Sequence, residues 1–248
     1  MRDIRAVHLE GVIKACTCGN STKARMKSMF NMIYKYCLKH EIVDRDYAQL
    51  VNAVRVESQI DRVPFTPEEI TILWQNVDNA RMIDCCLFQL YTGVRPIEAL
   101  TAATSSFNLE EWYFTGGVKT AAGKDRVIPL HPDIRPLVKK LHEEATAGGR
   151  ELLFMDKAYN RGEYVPITYD AYRGKLKRSL EFLGLKHHPA DCRHTFITFA
   201  KEQSMDEYLL KLVVGHAIED VTEKVYTHRK ITELVKAVEA LNFKHDFC

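Results

Sequence analysis

Two arginines, a histidine and a tyrosine stand in surroundings that suit phosphate chemistry. Arg95 lies in T-G-V-R-P-I-E-A-L, just past a glycine turn and at an expected helix start. Arg193 lies in D-C-R-H-T-F, also near an expected helix start. Helix N-termini carry free N–H groups and the positive end of the backbone dipole, so both places favour an anion. Two guanidiniums converging there would grip a phosphate through paired hydrogen bonds. His216 follows a glycine in V-V-G-H, and Tyr226 lies ten residues on, in V-Y-T-H. Each of these has an ordinary structural explanation when considered alone. Either arginine could be a surface ion-pair residue, Gly215-His216 a helix C-cap, and Tyr226 a packed ring.

The elements that would position these residues can be read from periodicity and caps. Residues 21–39 form an expected helix capped by Ser21 or Thr22, with Met26, Met29, Phe30, Ile33, Tyr34 and Cys37 on one apolar face. Shorter helices are expected near Ile4–Ile13 and Tyr47–Val51. Residues 52–65 lose the helical period and read as a linker. Thr66-Pro67-Glu68-Glu69 then gives a strong helix start, with Thr66 as N-cap, Pro67 in the first turn and Glu69 closing a capping box. A helix over 79–91 should stop at Gly93, and another should open at Arg95-Pro96. Residues 111–118 and 125–130 read as two strands flanking the turn A-A-G-K. Helices are expected near 133–144, 168–183, 192–203, 206–214 and 231–241. Ile231, Leu234, Val235, Val238 and Leu241 give the last of these an apolar face, which could dock on its own domain or on a neighbouring subunit.

Bulk properties bound the function. A chain of 248 residues allows one large domain or two unequal ones, and 46% hydrophobic residues can bury a real core. No apolar run is long enough to span a membrane, and the start M-R-D-I-R-A-V-H-L-E lacks the apolar core of a signal peptide, so a cytosolic protein is expected. The seven cysteines contain no C-x-x-C pair and read as reduced thiols. A zinc set from His187, His188, Cys192 and His194 is a remote alternative. A net charge of +2 is too small to announce a nucleic-acid partner. Its distribution is more suggestive. Lys23, Arg25, Lys27, Lys35 and Lys39 cluster without an acid over residues 21–40, and Arg173, Lys175, Lys177 and Arg178 cluster over 173–180.

The order of motifs is more specific than any one of them. T-G-V-R-P-I-E-A-L, a lysine-bearing hairpin, D-C-R-H-T-F-I-T, V-V-G-H and V-Y-T-H together resemble the tyrosine recombinase family, the phage-type and mobile-element integrases. The resemblance covers nearly the whole chain and is strongest from Tyr91 to Arg229. It implies a mainly α fold with a small antiparallel β-sheet, arranged as a two-domain DNA clamp. Residues 1–60 would be a helical core-binding domain, partial by the standard of longer members, and residues 61–248 the catalytic domain.

The roles that the resemblance implies transfer position by position. Arg95 and Arg193 would stabilise charge on the phosphate, with His216 beside them and Tyr226 as nucleophile. Lys119, at the end of the first strand, would be the general acid, with Lys124 in the turn as the weaker candidate. The expected activity is site-specific cleavage and rejoining of DNA through a 3′-phosphotyrosine, without metal, cofactor or ATP, serving integration or excision of a phage or mobile element. Expected partners are double-stranded DNA, copies of the same chain in a tetrameric synapse, and accessory DNA-bending or directionality factors, all in a bacterial cytoplasm near the nucleoid. Alternatives are a DNA-binding relic of the family and a type IB topoisomerase-like relaxing enzyme. One position departs from the pattern. The family carries a histidine or lysine three residues before the second arginine, where this chain has Ala190. The slot is expected to be accessory, with water or His188 substituting there.

Overall fold

A computed structural model describes residues 3–52, 62–117, 125–157, 162–216 and 231–243. Backbone contacts divide the chain into two compact units, Met1–Asp61 and Arg62–Cys248.

The first unit is helical. Helix α1 (Ala6–Ala15) and helix α2 (Asn20–Lys39) pack with a 3-10 turn at Ala48–Leu50, the place where sequence suggested a short helix. Helix α2 begins one residue before the expected caps, because Gly19, not Ser21 or Thr22, holds the extended N-cap conformation. Leu9, Ile13, Tyr34, Cys37, Val43, Ala48 and Val51 form its core. The Tyr34 hydroxyl, buried with its ring, donates to the Ile4 carbonyl at 3.0 Å.

The second unit is built around α4 (Ile83–Thr92), in which nearly every side chain is buried. Helix α3 (Pro67–Gln75) precedes it and starts on the expected capping box. The Thr66 hydroxyl accepts from the Glu69 N–H at 3.3 Å, and Glu69 accepts from the Thr66 N–H at 2.9 Å. After α4 come α5 (Pro96–Leu100) and a three-stranded antiparallel sheet in the order β1 (Phe107–Asn108), β2 (Tyr113–Gly116), β3 (Arg126–Pro129). Gly116 pairs with Arg126, so β2 and β3 form a hairpin whose connection lies outside the described residues.

Helix α6 (Arg135–Ala147) leads to a second hairpin, β4 (Met155–Lys157) with β5 (Tyr164–Pro166), and then to α7 (Tyr169–Phe182). Helix α8 (Pro189–Glu202) lies along α4, with the Cys86 and Cys192 sulfurs 3.3 Å apart. Helix α8 starts three residues earlier than expected, because Pro189 fits the first turn and the Asp191 carboxylate accepts from the His188 N–H at 2.7 Å. Arg193 therefore sits one turn inside the helix and not at its open end.

Helix α9 (Glu207–Val214) ends on Gly215, whose left-handed φ of 67° closes the helix. Helix α10 (Ile231–Glu239) packs on β3 and α9 of its own unit, burying Leu234 and Val238. The chain beyond α10 is clamped. The Leu241 carbonyl lies 2.8 Å from His131 Nε2, the Asn242 backbone exchanges two hydrogen bonds with Gln203 at 2.7 and 2.9 Å, and Phe243 is fully buried among Tyr91, His131, Phe196 and Phe199.

Candidate functional site

The site begins at the turn between α4 and α5. Gly93 adopts φ +65°, and a Cβ on it would lie 2.5 Å from the Phe196 ring, so only glycine fits. This turn points the Gly93 carbonyl at α8, where it accepts from Arg193 Nη1 at 2.8 Å. Two residues on, Arg95 holds the extended N-cap conformation of α5. Glu98, buried at the third position of that helix, accepts from the Arg95 N–H at 2.9 Å and from its Nη1 at 3.0 Å. Arg95 Nη2 reaches the Gly215 carbonyl at 3.4 Å, which places the turn carrying His216 beside it. The structure thus brings Arg95, Arg193 and the 215–216 turn together. Tyr226, Lys119 and Lys124 lie outside the described residues.

Arg126 completes the framework. This nearly buried residue of β3 donates to both Glu98 oxygens at 2.8 and 3.2 Å, and its Nε donates to the Val213 carbonyl at 2.8 Å. One guanidinium therefore ties the hairpin, α5 and the end of α9 into one unit. In the sequence, Arg126 falls within the expected strand 125–130, and no motif gives Glu98 a role. The spacing of Glu98 to Arg95 was a usable signal, because three residues is one helical turn. The pairing with Arg126 is a long-range contact that no local pattern carries.

The electrostatics favour an anion. Two guanidiniums, those of Arg95 and Arg126, pair with the single carboxylate of Glu98, and Arg193 lies close enough to feel its charge without bonding to it. Burial alone would raise the Glu98 pKa. Hydrogen bonds from Arg126 and the Arg95 backbone, with the charges of both guanidiniums, outweigh burial and hold it below the ordinary carboxylate value. Burial, followed by the nearby Arg95 charge, pushes Arg193 down to about 9. Burial and the charges of Arg193 and Arg95 also lower His216. Among the described residues nothing accepts from the buried Arg193 Nη2. Arg193 and Arg95 line a cavity of about 410 Å³ together with Arg62, Pro96, Ile97, Tyr169 and Ala190. Convergent guanidiniums with an unused buried donor can hold a tetrahedral oxyanion and stabilise added charge on it.

The neighbouring histidines do not enter this cavity. His187 is buried, stacks on Phe65 with ring centroids 3.7 Å apart, and meets Glu69 Oε2 at 3.1 Å. His188 is exposed at the N-cap of α8 and is not among the cavity walls. The remote zinc set does not assemble either. Cys192 faces Cys86, His187 faces Glu69, and no three potential ligands converge among the described residues. No helix among the described residues is long and apolar enough to cross a membrane.

Comparison with known proteins places these features. The sequence model described as Phage integrase family matches residues 64–233. The chain is similar to the tyrosine recombinase XerA of Pyrococcus furiosus, with 27% identity over 181 residues, 71% of this chain and 61% of the relative. It is similar also to the tyrosine recombinase XerC of Pseudomonas putida, with 25% identity over 227 residues, 88% of this chain and 72% of the relative. Among solved structures, the Tn1549 transposon integrase in complex with circular intermediate DNA matches with a TM-score of 0.72 at 16% identity, over 95% of this chain and 84% of that one. A lambda integrase dimer bound to a COC′ core site matches with a TM-score of 0.69 at 14% identity, over 93% of this chain and 84% of that one. These two likenesses show a shared fold, mainly helical with small antiparallel sheets.

Proposed function

Because the chain belongs to the phage integrase family, the tyrosine recombinases, we propose that it cleaves and rejoins DNA at specific sites through a covalent bond to Tyr226. The observation that carries this reading is the cavity into which Arg95 and Arg193 converge, with a buried Arg193 donor left unused by the described residues.

The Tyr226 hydroxyl attacks phosphorus, the P–O5′ bond breaks, and the 3′-phosphate remains on the tyrosine. Arg95 and Arg193 stabilise the second negative charge that phosphorus gains on the way, and His216 donates beside them. Removing one such donor costs roughly 10²–10³ in rate. The departing 5′-oxygen takes a proton from Lys119, an effect worth roughly 10²–10⁴. The tyrosine hydroxyl, ordinarily ionising near ~10, is favoured as an anion by the surrounding guanidiniums. Attack by a 5′-hydroxyl of another duplex reverses the step and releases Tyr226. The bond energy is conserved in the intermediate, so no nucleotide is consumed.

The first unit is read as the helical core-binding part of a DNA clamp. Its run of lysines and arginines without acids along α2 supports that reading. The lambda integrase forms a tetramer bound to a Holliday junction, and by that likeness this chain is read as assembling on paired DNA sites. Service to a phage or mobile element, in a bacterial cytoplasm, belongs to the same reading.

The test uses nicked duplexes of randomised sequence, in which a cleaved strand end diffuses away and traps the covalent state. Wild-type chain is expected to retain DNA through denaturing wash, and Tyr226→Phe to retain none. Capture of DNA with no sequence preference would point to relaxing activity instead. No capture by wild type would defeat the reading.

A further inference from the structure

The recombinase reading leaves one side of the cavity without a donor. Ala190, the second residue of α8, is half buried and lines the cavity, and its methyl group can neither donate nor carry charge. Of the two histidines nearby in sequence, His187 is held by Phe65 and Glu69, and exposed His188 is not among the cavity walls. The remaining polar walls are Arg62 and Tyr169. Tyr169 opens α7 and offers a neutral hydroxyl. Arg62 offers a cation with five donors.

The approach of Arg62 is fixed by its neighbours. Phe65, three residues on, is fully buried, its N–H donates to Thr195 Oγ1 at 2.9 Å, and its ring stacks on His187. Thr195 in turn donates to the Asp191 carbonyl at 2.8 Å, within the same turn of α8 that carries Ala190 and Arg193. The segment entering the second unit is thereby pinned along α8. Three residues of chain span at most ~10 Å, so Arg62 is held within side-chain reach of the cavity. The side chain itself is exposed. Unlike buried Arg193, it keeps its hydration until an anion arrives, which makes it an inexpensive place to hold a third positive charge.

We propose that Arg62 is a further catalytic residue, donating to a non-bridging oxygen of the scissile phosphate on the side that Ala190 leaves open. This assignment rests on the phosphotyrosine reading above. It names a residue outside the recurrent motifs of the chain, and it accounts for how a site with alanine at position 190 still encloses the phosphate with cations.

The experiment uses the full chain and a nicked duplex recovered from the randomised library by covalent capture on wild type. Single-turnover adduct formation is timed at saturating protein, and affinity is measured separately by gel shift. Arg62→Ala is expected to slow adduct formation about 10²-fold at saturation, in line with loss of one transition-state donor. Arg62→Lys, which keeps charge without the planar fork, should fall between the two. Adding Ala190→His to Arg62→Ala should restore at least ten-fold, and the same change in the wild-type background should give a smaller gain.

An Arg62→Ala variant that cleaves at the wild-type rate when saturated would overturn the proposal, even if its affinity falls, because that pattern belongs to a binding contact. A double variant as slow as Arg62→Ala would also overturn it, provided Ala190→His alone still cleaves. If wild type forms no adduct on any duplex, the phosphotyrosine reading fails and the assignment falls with it. That outcome is distinct from a reactive wild type that is indifferent to Arg62.

Discussion

Arg193 is charged in a place that discourages charge. Burial and the neighbouring Arg95 lower its affinity for the proton, yet a guanidinium scarcely gives one up, so the cost persists in the folded chain until an anion binds. Sulfate should therefore raise the melting temperature more than chloride at equal ionic strength, and Arg193→Ala should lose most of that difference. Equal response of the two proteins in a thermal melt would show that Arg193 does not meet the anion.

His216 gives a second residue-scale prediction. Its pKa is lowered by burial and then by Arg193 and Arg95, while the unfolded value stays near ~6.5. As pH falls below that unfolded value the unfolded chain takes up the proton first, so stability declines until the native value is passed. His216→Gln should lose less melting temperature than wild type between pH 7 and pH 5, to a modest extent because the burial of His216 is partial and much of the residue meets solvent. The types of Arg95, Arg193 and His216 were legible as phosphate ligands from their motifs. The unused Nη2 of Arg193 and the cavity position of Arg62 were not, since both depend on which side chains surround them in space.

At the scale of elements, the turn from α4 into α5 and the Glu98–Arg126 pair carry the arrangement. Gly93→Ala demands a left-handed alanine and drives its Cβ into Phe196, which should cost about 2–4 kcal/mol in denaturant unfolding. The same change displaces the carbonyl that holds Arg193, so cleavage should fall further than stability alone explains. Arg126→Ala leaves Glu98 with a single cationic partner in a buried position and should destabilise by about 3–5 kcal/mol. Urea titration checks both, and an Arg126→Ala loss under ~1 kcal/mol would mean that the pair is solvated.

Local signals found the α3 capping box, the glycine stop of α4 and the start of α5, because each is written in adjacent residues. The early start of α8 was misplaced because H-H-P-A-D reads as a loop until His188 and Asp191 are seen as a cap. The β4–β5 hairpin and the two-residue β1 are not legible in the sequence, because neither offers an alternating apolar run.

At the scale of the whole molecule, the last described residues close the second unit upon itself. The apolar face of α10 docks in its own unit, one of the two placements the sequence left open, and Phe243 anchors the chain beyond it in an aromatic cage. Phe243→Ala should cost about 3–5 kcal/mol in thermal or urea unfolding. A near-neutral result would show the cage to be dispensable. The order of motifs along the chain made the family legible. It said nothing of how α10 is received, because that depends on the shape of β3 and α9.

Tyrosine-mediated strand exchange requires that the nucleophile be Tyr226. Wild-type chain trapped on a nicked duplex should be digested with protease and nuclease, and the nucleotide-bearing peptide sequenced by mass spectrometry. The nucleotide is expected on Tyr226 through a 3′-phosphate. A nucleotide on any other residue, or a 5′-phosphate linkage, would contradict the account.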